Sequence, residues 1–157
     1  MSKLTELTDA YVAGPAQLRA AVTGMTREQL LARPIPGKWS TMEVVCHIAD
    51  FEPVYLDRIK RAIALKNPLV FVADENDFVK QLAYHDRDLE EELKLIEICR
   101  ASMARILRHV PETVLTRTAI HNEKGLVTVE SMLTGITNHI KNHMAFIVEK
   151  KKALGIA

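Results

Sequence analysis

The stretch from Thr128 to Leu154 constrains this chain most. Its apolar residues recur with helical spacing, and at about 100° per residue Val129, Met132, Ile136, Ile140, Phe146 and Ile147 share one side of a helix. His139 and His143 lie on that same side, four residues apart and therefore one above the other. Gly135, one turn earlier, removes a side chain where a neighbour could come close. Two imidazoles on a core-facing stripe have metal-ligand spacing, the spacing of the helical histidine pair of zinc peptidases without their glutamate. The pair is half a site, and two semi-buried histidines satisfied by hydrogen bonds are the alternative reading.

The rest of the chain is punctuated into similar segments. Leu4, Leu7, Tyr11, Leu18, Ala21 and Val22 give a helical stripe over about Lys3 to Val22, with Pro15 expected to kink or split it near Val12 to Gly14. Thr26-Arg27-Glu28-Gln29 has the form of a capping box opening a short helix to about Ala32, and Pro34, Pro36 and Gly37 make Arg33 to Lys38 a loop. Ser40-Thr41-Met42-Glu43 is a second capping box, starting a helix from Thr41 to about Lys66 that Pro53 should bend. A third long helix spans about Asp88 to His109, with acidic Glu90, Glu91 and Glu92 suited to its first turns. Leu69 to His85 reads as a connecting loop with a short helix near Asp77 to Ala83. Val70-Phe71-Val72 has strand character but looks too isolated to build a sheet. Leu115 to Val127 reads as a loop turning at Gly125, and Thr128 as the cap of the last helix.

Four long amphipathic helices predict an all-α domain over residues 1–157, an up-and-down four-helix bundle with a long connection between its second and third long helices. Lys plus Arg number 21 and Asp plus Glu 20. This near-balance leaves no electrostatic footprint for nucleic acid. No apolar run is long enough to span a bilayer, and Met1 to Ala10 lacks a signal-peptide core, so no membrane partner is expected. Cys46 and Cys99 form no CxxC pair and fit reduced thiols of a cytoplasmic protein.

A third histidine completes the pair. His47 lies about 75° from the centre of the core stripe of the Thr41 helix, near its N-terminal end. If that helix neighbours the last one, His47, His139 and His143 can point into one end of the bundle. Three neutral imidazoles leave coordination positions free for water or substrate, the open geometry of a catalytic divalent-metal site. A thiol could occupy the same position.

Gly37-Lys38-Trp39-Ser40 followed by Glu43 and His47, then Gly125 and His139-x3-His143, resemble the DinB family, also called the DinB/YfiT-like metalloenzymes. The resemblance covers nearly the whole chain, including the lead-in MTREQLLARPIPGKWS from Met25. It implies a four-helix bundle, often a homodimer, with His47, His139 and His143 as ligands of nickel, zinc, manganese or another divalent ion. Relatives with known activity include S-transferases using low-molecular-weight thiols and a thiol-dependent maleylpyruvate isomerase. The expected function is therefore a metal-dependent enzyme acting on a small molecule, activating water as a hydrolase or a small thiol as an S-transferase. The alternative is a non-catalytic, dimeric metal-binding or stress-response bundle. In an enzyme, the metal position should face a cleft lined by Arg33 to Lys38 and Leu115 to Val127.

Other residues carry milder expectations. Trp39 suits a hydrophobic anchor for the helix start ahead of a substrate contact. Glu43 and Asp50, flanking His47 on the helix, suit either orienting acceptors for its ring or solvated charges, and either could serve as a general base. Arg100, on a core stripe, suits an ion pair with a neighbouring helix ahead of a carboxylate clamp. His121 reads as a surface residue, with the mouth of the site as the alternative, and Cys46 as a packing residue. His85 and His109 carry no chemical role.

Overall fold

A computed structural model describes residues 1–156. Four long helices form the body: α1 (Lys3–Val22), α3 (Thr41–Ala64), α5 (Leu89–Leu107) and α6 (Val129–Ala153). Two short ones, α2 (Arg27–Leu31) and α4 (Glu75–Gln81), sit in the connections. The expected caps form as read. Thr26 and Gln29 close a reciprocal box, as do Ser40 and Glu43, and Thr128 accepts from the Ser131 N–H.

The helices form a ring. α1 and α3 each pack against both α5 and α6, which puts α1 diagonally across from α3 and α5 across from α6. This arrangement makes α3 and α6 neighbours. Two apolar clusters fill the interior. One contains Leu18, Met42, Val45, Ile48, Ile96, Ile140 and Ile147, the other Leu4, Ile59, Met103, Leu107, Leu133 and Ile136.

Between them lies a buried polar layer. Arg100, 1 % exposed, donates from Nε to Glu52 Oε1 at 2.8 Å, from Nη1 to the Tyr11 carbonyl at 2.7 Å and from Nη2 to the Ile136 carbonyl at 2.8 Å. The Tyr11 hydroxyl donates to Glu52 Oε2 at 3.1 Å. One guanidinium on α5 thus ties α1, α3 and α6 together, the ion pair that its place on the stripe suggested.

Of the kink or split expected at Pro15, the split does not occur: α1 runs unbroken through it. The carbonyl its missing N–H would have engaged, four residues back at Tyr11, is the one Arg100 uses. Pro53 likewise lies inside a continuous α3, on its exposed side.

The short helix expected near Asp77 to Ala83 is α4, but the rest of the two segments read as loops contributes a small sheet. β1 (Leu69–Val70) pairs in parallel with β2 (Thr118–His121), which pairs in antiparallel with β3 (Gly125–Thr128). Val70 looked isolated because its partner Ile120–His121 lies fifty residues on, beyond the reach of a local pattern. Gly125 takes φ +71° at the hairpin turn. From β1 the chain doubles back along α3. Phe78 of α4 meets Phe51 with ring centroids 5.7 Å apart, and Arg87 pairs with Asp50 at 2.7 Å. The long connection therefore covers the half of α3 that carries His47.

Candidate metal centre

α3 and α6 bring the three sequence-selected histidines together. His47 Nε2 lies 2.8 Å from His139 Nε2 and 3.1 Å from His143 Nε2. The rings meet edge to face, each pair with centroids 4.7 Å apart. The four-residue spacing on α6 stacks two imidazoles, and the Ser40–Glu43 cap fixes the start of α3 so that His47 meets them.

The surroundings keep these rings neutral. Burial lowers the His47 pKa to about 3, helped by His143. Burial lowers His139 to about 2, helped by the nearby His47, His143 and Arg100. His143 is also held below the usual range, by burial and then by the charge of Lys150. All three Nδ1 atoms are buried without a protein partner. Three converging lone pairs at these separations repel one another unless a proton or a cation lies among them. Ligands about 2.0–2.1 Å from one centre are about 2.9–3.4 Å apart at angles between 90° and tetrahedral. The donor set and its spacing therefore fit a divalent cation.

An apolar shell encloses the cluster. Phe51 packs at a tilt against His47 with ring centroids 4.5 Å apart, and Trp39 does so at 5.2 Å. Trp39 is thus more than an anchor for the start of α3: it touches a site histidine. A cleft of about 280 Å³ reaches His143 and is lined by Gly37, Lys38, Trp39, Val44, Glu75, Phe146 and Lys150. The loop expected at Arg33 to Lys38 contributes, as foreseen. The segment Leu115 to Val127 does not. It packs at the other end of α3, where Arg117 donates to the Ala62 carbonyl, and Glu75 of α4 lines the cleft instead.

Glu43 and Asp50 do not touch the His47 ring. Glu43 is 3 % exposed and accepts from the Ser40 N–H and from Arg33. Burial alone would raise its pKa. The Arg33 hydrogen bond, the Ser40 N–H and the charges of Arg33 and His85 outweigh burial and hold the carboxyl below the usual range. Asp50 is engaged by Arg87. His121 is neither on the surface nor at the mouth of the site. It is 5 % exposed, and its Nδ1 accepts from the Glu123 and Lys124 N–H groups of the hairpin turn. Burial pushes the Cys46 thiol up to about 12, and its Sγ donates to the Tyr84 carbonyl, as befits a packing residue.

Lys150 escaped the sequence reading. It is 3 % exposed and lines the cleft. The signal was present: seven residues beyond His143, it falls within about 20° of that histidine on the helix.

A helical bundle that gathers three neutral imidazoles beside a cleft presents an open, nitrogen-rich donor set of the kind that a divalent metal takes. The DinB superfamily profile matches residues 10–147, and the chain belongs to that superfamily. A candidate metal-dependent hydrolase of Oceanobacillus iheyensis is 29 % identical over 133 residues, 85 % of this chain and 77 % of that protein. YfiT of Bacillus subtilis, also named a candidate metal-dependent hydrolase, is 27 % identical over 142 residues, 90 % of this chain and 80 % of its own. The solved structure of YfiT, described as having an unusual four-helix bundle topology, superposes with a TM-score of 0.92 at 25 % identity. The match covers all of this chain and 91 % of that one. No helix among the described residues is long and apolar enough to cross a membrane.

Proposed function

We propose that this chain is a single-domain, divalent-metal-dependent hydrolase of a small molecule, with His47, His139 and His143 as the metal ligands through Nε2. The observation that carries the reading is the convergence of the three Nε2 atoms, 2.8 and 3.1 Å from His47 to its two partners. The names given to the relatives support hydrolysis as the reaction class. A divalent cation held by His47, His139 and His143 would supply Lewis acidity for hydrolysis.

The chain's own residues do the rest. Burial keeps the three imidazoles unprotonated at neutral pH. Phe51 and Trp39 exclude water from the His47 side, and substrate enters from the cleft at His143. Glu43 and Asp50 are held by Arg33 and Arg87, so neither is the proton acceptor.

The family resemblance adds expectations that belong to the same reading: zinc, nickel or manganese as the ion, a homodimer, and a cytoplasmic location. Burial of both cysteines as free thiols is consistent with the last. A small thiol taking the place of water would make the protein an S-transferase.

Elemental analysis of untagged protein tests the centre. Near-stoichiometric metal in the parent, lost in His47→Ala and His143→Ala, is the expected result. Absence of metal, with no uptake of zinc, nickel or manganese, would leave a non-catalytic bundle. Parallel assays of ester hydrolysis and of thiol transfer to a small electrophile then separate the two reactions.

A further inference from the structure

Lysine is almost never buried without a counter-charge, because its ammonium keeps its hydration only at a surface. Lys150 breaks this rule at the proposed metal centre. It is 3 % exposed, yet it lines the cleft that reaches His143. Its Nζ donates to the Phe146 carbonyl one turn back at 3.2 Å and lies 5.7 Å from the centre of the Phe146 ring. An ammonium has three donors, and one hydrogen bond within its own helix leaves two unspent.

The nearby carboxylates do not neutralise it. Glu43 is taken by Arg33 and the Ser40 N–H, Glu149 is an exposed residue of the same helix, and none of them forms an ion pair with Lys150 among the described residues. Of the other charged groups on the cleft, Glu75 is an exposed residue at the start of α4, and Lys38 adds a second positive charge. The remaining walls are apolar: Trp39, Val44 and Phe146.

We infer that Lys150 is a specificity-determining residue that anchors an anionic group, a carboxylate in the first instance, of a substrate whose apolar body lies along Trp39 and Phe146 and whose reacting group is presented at His143. This rests on the hydrolase reading for its last element only. A charge-assisted hydrogen bond from a buried ammonium flanked by the apolar Trp39, Val44 and Phe146 discriminates against an uncharged analogue.

The single tryptophan lines the same cleft and reports occupancy directly. Trp39 fluorescence is titrated with 3-phenylpropionate and with 3-phenylpropionamide. Metal-depleted protein is used, so that a carboxylate has no cation to coordinate. Wild type is expected to bind the acid about tenfold or more tighter than the amide. Lys150→Met should bind the two equally, with a melting temperature at or above wild type. Lys150→Arg should keep the preference. Equal affinity for acid and amide in wild type overturns the inference, as does an unchanged preference in Lys150→Met. A Lys150→Met protein that melts far below wild type also overturns it, since the ammonium would then be structural. Metal content of the untreated proteins is measured in parallel. A protein that holds no metal but discriminates by charge fails the hydrolase reading alone.

Discussion

Arg100 fills the hydrogen-bond vacancy that Pro15 opens in α1. Proline cannot donate to the Tyr11 carbonyl, and the guanidinium of Arg100 donates to it at 2.7 Å. Gly14 makes the approach possible, because a Cβ at this position would lie 2.5 Å from an Arg100 nitrogen and 3.1 Å from Ile140 Cδ1. The Gly14-Pro15 pair is therefore a receptor for an arginine on another helix, and the layer it completes lies between the two halves of the core.

This makes Gly14→Ala destabilising despite alanine's better helix propensity. The added methyl meets a guanidinium locked by Glu52 and two carbonyls, and the expected loss is about 1–3 kcal/mol. Arg100→Met should lose more, about 3–5 kcal/mol, because it leaves Glu52 buried without its partner. In the double variant the alanine should cost little further. Urea unfolding of the four proteins gives this coupling, and simple additivity would show that the methyl acts elsewhere.

Metal should stabilise the fold by mass action. With free metal at a hundredfold excess over Kd, about 2.7 kcal/mol is expected, or roughly 5–10 °C in melting temperature for a chain of this size. Chelator should reverse the gain. His139→Ala should melt at the same temperature with and without metal. A gain that persists in that variant would place the ion elsewhere.

The metal-free protein should lose stability on mild acidification. The unfolded histidines titrate near 6.5, whereas burial holds folded His47 at about 3 and His139 at about 2. Between those values the unfolded state binds more protons, so stability rises with pH and falls as pH drops below about 6.5. Each imidazole contributes a slope approaching about 1.4 kcal/mol per pH unit. Melting temperatures from pH 7.5 to 5 should show the decline, and His47→Phe should show a shallower one. A flat profile in wild type would mean that the folded rings titrate normally.

The Glu43 cap should govern a separate, more acidic limb. Its carboxyl is held below the usual range, so its contribution is complete at neutral pH and is lost as pH falls through the folded pKa. Glu43→Gln keeps an acceptor for the Ser40 N–H but loses the Arg33 ion pair, and should flatten that limb. Unaltered acid unfolding in Glu43→Gln would assign the limb to other carboxylates.

Local pattern made much of this molecule legible. α1 falls at Lys3–Val22 as periodicity placed it, and the boxes at Thr26 and Ser40 form because each needs only residues three apart. The His139–His143 pair was visible because a four-residue step on a helix is itself a contact. The β1–β2 pairing was not legible, since nothing near Val70 announces a partner at His121. The partners of Glu43 and Asp50 were hidden for the same reason: Arg33 and Arg87 are reached through loops, where spacing in sequence says little about distance in space.

By itself the sequence determined the four amphipathic helices, their caps and the presence of three histidines on core-facing helix surfaces, because short-range sterics, hydrogen bonding and burial act on residues within a few turns of one another. Only the tertiary structure decided that α3 adjoins α6, that the connection after α3 lines the cleft instead of the hairpin, and that Lys150 is buried beside His143. Those outcomes depend on which apolar faces pack together, and that choice is made by the whole core at once.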